Sequence, residues 1–146
     1  MSDYSHLVGH RFPGGRFTLA PHEAWLWADC ALAEPDPAAA HPALGYHAAM
    51  AGCGVSIGEL FALLGADADS GVMFGETELE FNGVLVPGDT YELEGGIVSI
   101  ERKHGRRAGT FDRMTFQISG RREGETEPLF TATNTWVFPR QEEVAA

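Results

Sequence analysis

Pro42-Ala43-Leu44-Gly45-Tyr46-His47-Ala48-Ala49-Met50-Ala51-Gly52-Cys53-Gly54-Val55-Ser56-Ile57-Gly58-Glu59-Leu60-Phe61-Ala62-Leu63-Leu64 is the stretch on which the fold turns. A helix over 42–64 is small or apolar on nearly every face, so it has to be wrapped on most sides. Gly52, Gly54 and Gly58 each cost such a helix roughly 1 kcal/mol against alanine. Their clustering predicts close backbone approach, either to a sheet or to the tail of a ligand. The segment is about as long as a membrane span, but His47, Glu59 and the glycines favour a buried helix and no membrane crossing. Gly65 reads as its C-terminal cap, followed by an acidic loop over 66–71.

Outward from that helix the chain changes composition near residue 70, from alanine-rich to rich in Thr, Val, Phe and Glu, an α+β arrangement segregated in sequence. Upstream, 16–20 reads as a short strand. Pro21 opens a helix over 21–33 in which Trp25, Leu26, Cys30 and Leu32 are available to pack. Glu34-Pro35-Asp36-Pro37 breaks it, since each proline disfavours helix at the residue before it. Downstream, 72–82 alternates as a half-exposed antiparallel strand, with Met73, Thr77, Leu79 and Phe81 opposite Glu76, Glu78 and Glu80. Val86-Pro87-Gly88-Asp89 suits a type II turn. Tyr91 and Leu93 share one parity and Val98 and Ile100 the other, which predicts a bulge at Gly95-Gly96. Strands over 110–119 and 129–138 follow, separated by turns at 104–107 and 121–128, and 141–146 reads as a frayed tail. The expectation is a single domain over 1–146, with an ordered core at about 8–140, in which a curved antiparallel sheet wraps the long helix.

The 146 residues fit one domain, and with 44% hydrophobic and 21% charged residues the chain can form a core without staples. Ten Lys and Arg against 21 Asp and Glu give a net charge of −11. That sign is wrong for a protein whose affinity comes from neutralising phosphates, so nucleic acid and anionic membrane surfaces are not expected partners. Cys30 and Cys53 are too few for a disulfide framework or a zinc set, and six histidines show no metal spacing. A reduced cytoplasmic protein with no metal and no cofactor is the plain expectation. No basic segment followed by an apolar run marks the N-terminus as a secretory signal.

Asn82-Gly83-Val84-Leu85-Val86-Pro87-Gly88-Asp89-Thr90-Tyr91 resembles the turn of the MaoC-like hot-dog dehydratases, an aromatic-x-x-Pro-Leu-x-x-Gly-Asp-x-Leu pattern here without its first proline. Gly75-Glu76-Thr77-Glu78-Leu79-Glu80-Phe81 is similar to the strand leading into it. Ala39-Ala40-His41-Pro42-Ala43-Leu44-Gly45-Tyr46 resembles the Ala-Ala-x-x-x-Gly-Tyr helix entry of the branch that includes the A and C subunits of mycobacterial hydroxyacyl-ACP dehydratases. The resemblance implies a hot-dog domain, a homodimer or a heterodimer with a related subunit, often with sheets joined edge to edge. It implies a site for acyl thioesters of CoA or acyl carrier protein, and hydration of an enoyl thioester or dehydration of a 3-hydroxyacyl thioester. A non-catalytic subunit and an acyl-CoA thioesterase share the fold and are its alternatives. Active members carry Asp-x-Asn-Pro-x-His ahead of the helix. Asp36 and His41 keep that separation, with Ala38 and Ala39 in place of Asn and Pro. Matching Ala39-Ala40 to the helix entry instead makes the spacing a coincidence.

The chemistry needs a base, a proton donor, and donors aimed at the thioester oxygen. Asp36 and His41 can serve the first two, against the plain reading of each as a loop residue. The helix entry offers backbone N–H groups for the third, with Gly45 and Tyr46 beside them and Gly52 and Gly54 admitting an acyl tail. His47 and Glu59 form a second possible pair, a helix carboxylate being costly unless exposed, paired or used. The plain readings are a packed imidazole and a solvent-facing glutamate. Buried Cys53 reads as a small hydrophobe. Arg106 and Arg107, within the cluster Arg102-Lys103-His104-Gly105-Arg106-Arg107, suit either a solvated turn or a contact to the phosphates of CoA or of a carrier's prosthetic group.

Overall fold

A computed structural model describes residues 2–141. The tail expected to fray lies outside the described residues except for Gln141. Strands β1 (Gly15–Thr18), β2 (Met73–Phe81), β3 (Thr90–Gly105), β4 (Gly109–Arg122) and β5 (Phe130–Arg140) form one curved antiparallel sheet in the order β1-β3-β4-β5-β2. Helices α1 (Pro21–Cys30), α2 (Leu44–Gly52) and α3 (Ile57–Leu63) come before β2, and α2 touches all five strands. Alternate residues of β3, β4 and β5 face inward. Tyr91, Leu93, Ile97, Met114, Phe116, Ile118, Phe130, Ala132, Trp136 and Phe138 are buried there against Leu44, Ala48, Ala49 and Cys53 of the α2 segment. The other parity carries threonines and charges, the alternation of a sheet with one wet face.

The helix expected over 42–64 is two helices. Gly54 has φ +85°, a left-handed conformation that stops α2 after Gly52 and Cys53. Ser56 then caps α3, its hydroxyl accepting from the Glu59 N–H at 3.1 Å. The break accommodates the chain ahead of β1. The Gly14 N–H donates to the Cys53 carbonyl at 2.9 Å, and a Cβ on Gly54 would lie 2.5 Å from the Gly14 carbonyl oxygen. A Cβ on Gly52 would lie 2.7 Å from Leu93 Cδ2. The close approach read from these two glycines is therefore to the sheet and to the strand-entry segment.

The bulge also moves. The β3–β4 register shifts between Ile97 and Ser99, at exposed Val98, while Gly95 and Gly96 keep the ladder. Gly96 makes room for residues 9–12, which run beside β3, a Cβ there lying 2.5 Å from the His10 carbonyl oxygen, whereas a Cβ on Gly95 would meet Gln117 and Ile118 of β4. Gly9 N–H donates to Ile97 O, Ile97 N–H to His10 O and Phe12 N–H to Gly95 O, each at 2.9 Å. The turn at 86–89 forms as expected. Gly88 has φ +95°, the Asp89 N–H reaches the Val86 carbonyl at 3.1 Å, and the Tyr91 hydroxyl accepts from the Val86 N–H at 2.8 Å.

At the far end of the sheet, Asp112 is fully buried between two guanidinium groups. Arg102 Nε and Nη2 each donate to it at 2.9 Å, and Arg140 Nε donates at 2.8 Å. Burial alone raises the Asp112 carboxyl. The bonds from Arg102, Arg140 and Ser2 outweigh it and hold the group below the usual carboxylate range. Because the folded value is depressed, this contribution is complete above the unfolded carboxyl's value near pH ~4 and is lost as pH falls below it. Asp112→Asn leaves two cations facing each other and is expected to lower stability by about 3–5 kcal/mol in urea unfolding at pH 7, with a smaller loss at pH ~3. Gly54→Ala is expected to cost about 1–3 kcal/mol from the left-handed conformation alone, with more from the Gly14 contact, read as a lower urea midpoint.

Candidate functional site

A cavity of about 470 Å³ opens between α1, the loop over 31–43 and the turn at 86–89. Pro21, Ala24, Trp25 and Ala28 give it one wall, and Pro87 closes one side. The loop forms the other wall and contributes its polar groups, Glu34, Asp36 and His41. Local bonds set this shape. The Ala33 N–H donates to Ala28 O at 2.8 Å as α1 ends, and the Ala40 N–H donates to Leu85 O at 2.7 Å, tying the loop to the strand-entry turn. Between these anchors Asp36 makes the turn expected of an Asp between prolines, Oδ1 accepting from the Ala38 N–H at 2.8 Å.

His41 Nδ1 accepts from the Ala43 N–H at 3.1 Å. In a neutral ring that leaves the proton on Nε2, so the ring's outer nitrogen is a donor. The backbone N–H groups expected to be free at the entry of α2 are all engaged. Leu44, Gly45 and Tyr46 donate to the carbonyls of His41, Pro42 and Ala43 at 3.0, 2.9 and 3.2 Å, and Ala43 is held by His41 itself. Tyr46 does not line the cavity; burial pushes its hydroxyl above the usual phenol value.

Asp36 and His41 both line this cavity, each holding a backbone N–H of its own loop; the other candidates lie elsewhere. His47 Nε2 is 3.1 Å from Glu23 Oε2, with its ring against Phe17 and Trp27, so it joins α1 to α2. Glu23 is the partner that the sequence reading did not single out: its position in the first turn of a helix reads as a dipole-favoured surface acid. Glu59 is exposed in the first turn of α3, where its backbone N–H receives the Ser56 cap. Gly45 is buried where a Cβ would lie 2.8 Å from the Phe81 ring. Burial pushes the Cys53 thiol up, and its S–H lies 3.4 Å from the Val55 carbonyl.

The basic cluster separates in the same way. Lys103 and Arg113 pair with Glu101, Arg121 with Glu92, and Arg122 with Asp89 and Glu125. Arg106 and Arg107 are exposed in the β3–β4 turn and make no ion pair among the described residues. That turn is at the opposite end of sixteen-residue β3 from Pro87 and the cavity.

No protein-family model and no curated protein matches the sequence. Solved structures do match. One is the HadBC (3R-hydroxyacyl-ACP dehydratase) complex of Mycobacterium tuberculosis, at 14% identity and TM-score 0.60 over 87% of this chain and 92% of that one. Another is the MaoC-like dehydratase of Rhodospirillum rubrum, at 18% identity and TM-score 0.52 over 92% and 94%. A third is the (R)-hydratase of A. caviae involved in PHA biosynthesis, at 17% identity and TM-score 0.54 over 90% and 96%. No helix among the described residues is long and apolar enough to cross a membrane. The strand order, the central α2 and these neighbours together give the chain the hot-dog fold of the MaoC-like dehydratases.

Proposed function

We propose that the chain hydrates trans-2-enoyl thioesters, or dehydrates the corresponding 3-hydroxyacyl thioesters, using Asp36 and His41. The observation that supports this reading is that both residues line one largely apolar cavity of about 470 Å³. An acyl chain suits the Ala, Pro and Trp25 surfaces, and a thioester head suits the polar wall. The 3R-hydroxyacyl-ACP dehydratase and the (R)-hydratase among its structural neighbours support the same chemistry. CoA and acyl carrier protein thioesters both fit the reading. Two free cysteines, Cys30 and Cys53, suit a reducing compartment such as the cytoplasm.

In hydration, a water O–H proton passes to the Asp36 carboxylate as the oxygen bonds to C3. The C2–C3 π electrons move to C2 and onto the thioester oxygen. The Asp36 proton is then delivered to C2, which restores both the carbonyl and the carboxylate. His41 Nε2–H, a neutral donor while Nδ1 holds the Ala43 N–H, orients the water or the developing oxyanion. The step moves water alone and calls for no redox group.

Asp36→Asn is expected to lower kcat for enoyl-CoA hydration by about 10²–10⁴, followed through loss of the conjugated absorbance. Undiminished hydration in that variant, or thiol release in place of hydration, overturns the reading. Independently, ¹⁵N shifts of His41 are expected to show Nδ1 as the unprotonated nitrogen and Nε2 as the protonated one; the reverse tautomer removes its role as donor.

A further inference from the structure

Of the acyl groups that the cavity's apolar surfaces accept, we infer that the one selected is flat and rigid, that of a 3-aryl-2-enoyl thioester, and that Trp25 selects it over a flexible alkyl chain. The inference rests on the hydratase reading for the reacting end of the substrate and adds the identity of the other end. It is carried by what the apolar wall is made of. Apart from Trp25, every apolar residue lining the cavity is alanine or proline. Pro21, Pro35, Pro37, Pro42 and Pro87 are five of the chain's eight prolines. No Leu, Ile, Val, Met or Phe lines the cavity among the described residues.

Alanine and proline have no side-chain rotamers to change. A wall of long, flexible side chains reshapes itself around whatever enters, whereas this one keeps the shape that its backbone gives it. The backbone is held as well. Pro35, Pro37 and Pro42 fix their own φ and steer the residue before each away from helix. The loop is tied to α1 by the Ala33 N–H on Ala28 O, and to the strand-entry turn by the Ala40 N–H on Leu85 O. A cavity that does not adapt selects by shape. An alkyl chain has to freeze its rotors to match fixed walls, while a ring system arrives already ordered.

Trp25 supplies the surface that such a ring matches. The other two tryptophans are occupied: Trp27 has its ring against His47, and Trp136 is buried and stacked on Phe74. Trp25 has no aromatic partner among the described residues, and it is 52% exposed although it lines the cavity. A ring laid against this indole gains an aromatic contact in addition to burial, and an alkyl chain gains burial alone. In a 3-aryl-2-enoyl thioester the ring is conjugated through the C2–C3 double bond to the carbonyl, so ring and reacting carbons form one flat unit.

The test measures binding of thioesters that cannot be hydrated, so its failure is separable from failure of the hydratase reading. The probes are the pantetheine thioesters of 2-naphthoic acid and of undecanoic acid, pantetheine being common to CoA and acyl carrier protein. The two acyl groups have the same number of carbons. The naphthoyl group is a locked, flat counterpart of 3-phenylacryloyl, and the undecanoyl chain is the more hydrophobic, so a site that rewards apolar area alone prefers the chain. Titration calorimetry of the intact chain is expected to give a Kd about tenfold lower for the naphthoyl thioester. Trp25→Phe keeps a flat face and is expected to retain the preference; Trp25→Leu keeps an apolar wall without one and is expected to lose it. Both variants are checked for folding by circular dichroism, and the wild-type comparison carries the test if either does not fold. Equal or tighter binding of the undecanoyl thioester overturns the inference, as does a preference that survives in folded Trp25→Leu. So does failure of the wild-type chain to bind either probe.

Discussion

Everything in this molecule depends on how closely α2 can lie on the sheet. A helix carrying large side chains on its sheet-facing side would stand off, and the space beneath it would have to be filled from both surfaces. Here the contact is made by Gly45, Ala48, Ala49 and Gly52, and the bulk comes from the sheet: Leu93 against Gly52, and Phe81 against Gly45. Adding one carbon at either glycine would drive it to within 2.8 Å of those side chains. The division of labour is the usual large-against-small interdigitation of a dense core, and it fixes the height of the helix. It also fixes the loop before the helix, because residues 31–43 have to descend from α1 to that level, and Asp36 and His41 are carried on the descent.

Much of this was legible in the sequence because it is written in periodicity. The strand alternation, the type II turn at 86–89 and the all-round apolar character of 42–64 correspond to β2–β5, the Gly88 turn and the α2–α3 segment, except that a register shift between Phe74 and Glu76 puts Phe74, not Met73, on the side of Thr77, Leu79 and Phe81. Glycine was less legible, since it signals equally a tight turn, a bulge and a close approach. Gly54 breaks the helix, Gly52 lets α2 sit down, Gly96 admits residues 9–12 and Gly95 lets β4 come close, where a bulge was expected. Which of these uses applies depends on neighbours distant in sequence.

The site was legible in residue type and not in partnership. Asp36 and His41 share a short loop, so their both lining one cavity is a local matter that spacing can suggest. The partner of His47 sits on another helix, 24 residues away, and Glu23 carries no mark that separates it from any other first-turn acid. The helix-entry N–H groups illustrate the same limit. A helix start offers unsatisfied donors in general, yet here a tightened first turn and the His41 ring consume them, which is visible only once the bonds are traced. Most of the basic cluster is likewise neutralised by acids across the strand ladder.

The segment over residues 9–12 has a consequence for the size of any assembly. It continues four-residue β1 along β3, so this margin of the sheet is short, irregular and largely occupied by the chain's own N-terminal part. The two margins are therefore unlike: one is finished within the molecule, the other is the nine-residue β2, open among the described residues and bulged between Phe74 and Glu76. A sheet open on both sides propagates, adding neighbours without limit, whereas one finished on one side accepts a single neighbour and then stops. The N-terminal strap is in that sense a terminator of this margin, closing it to further strand addition.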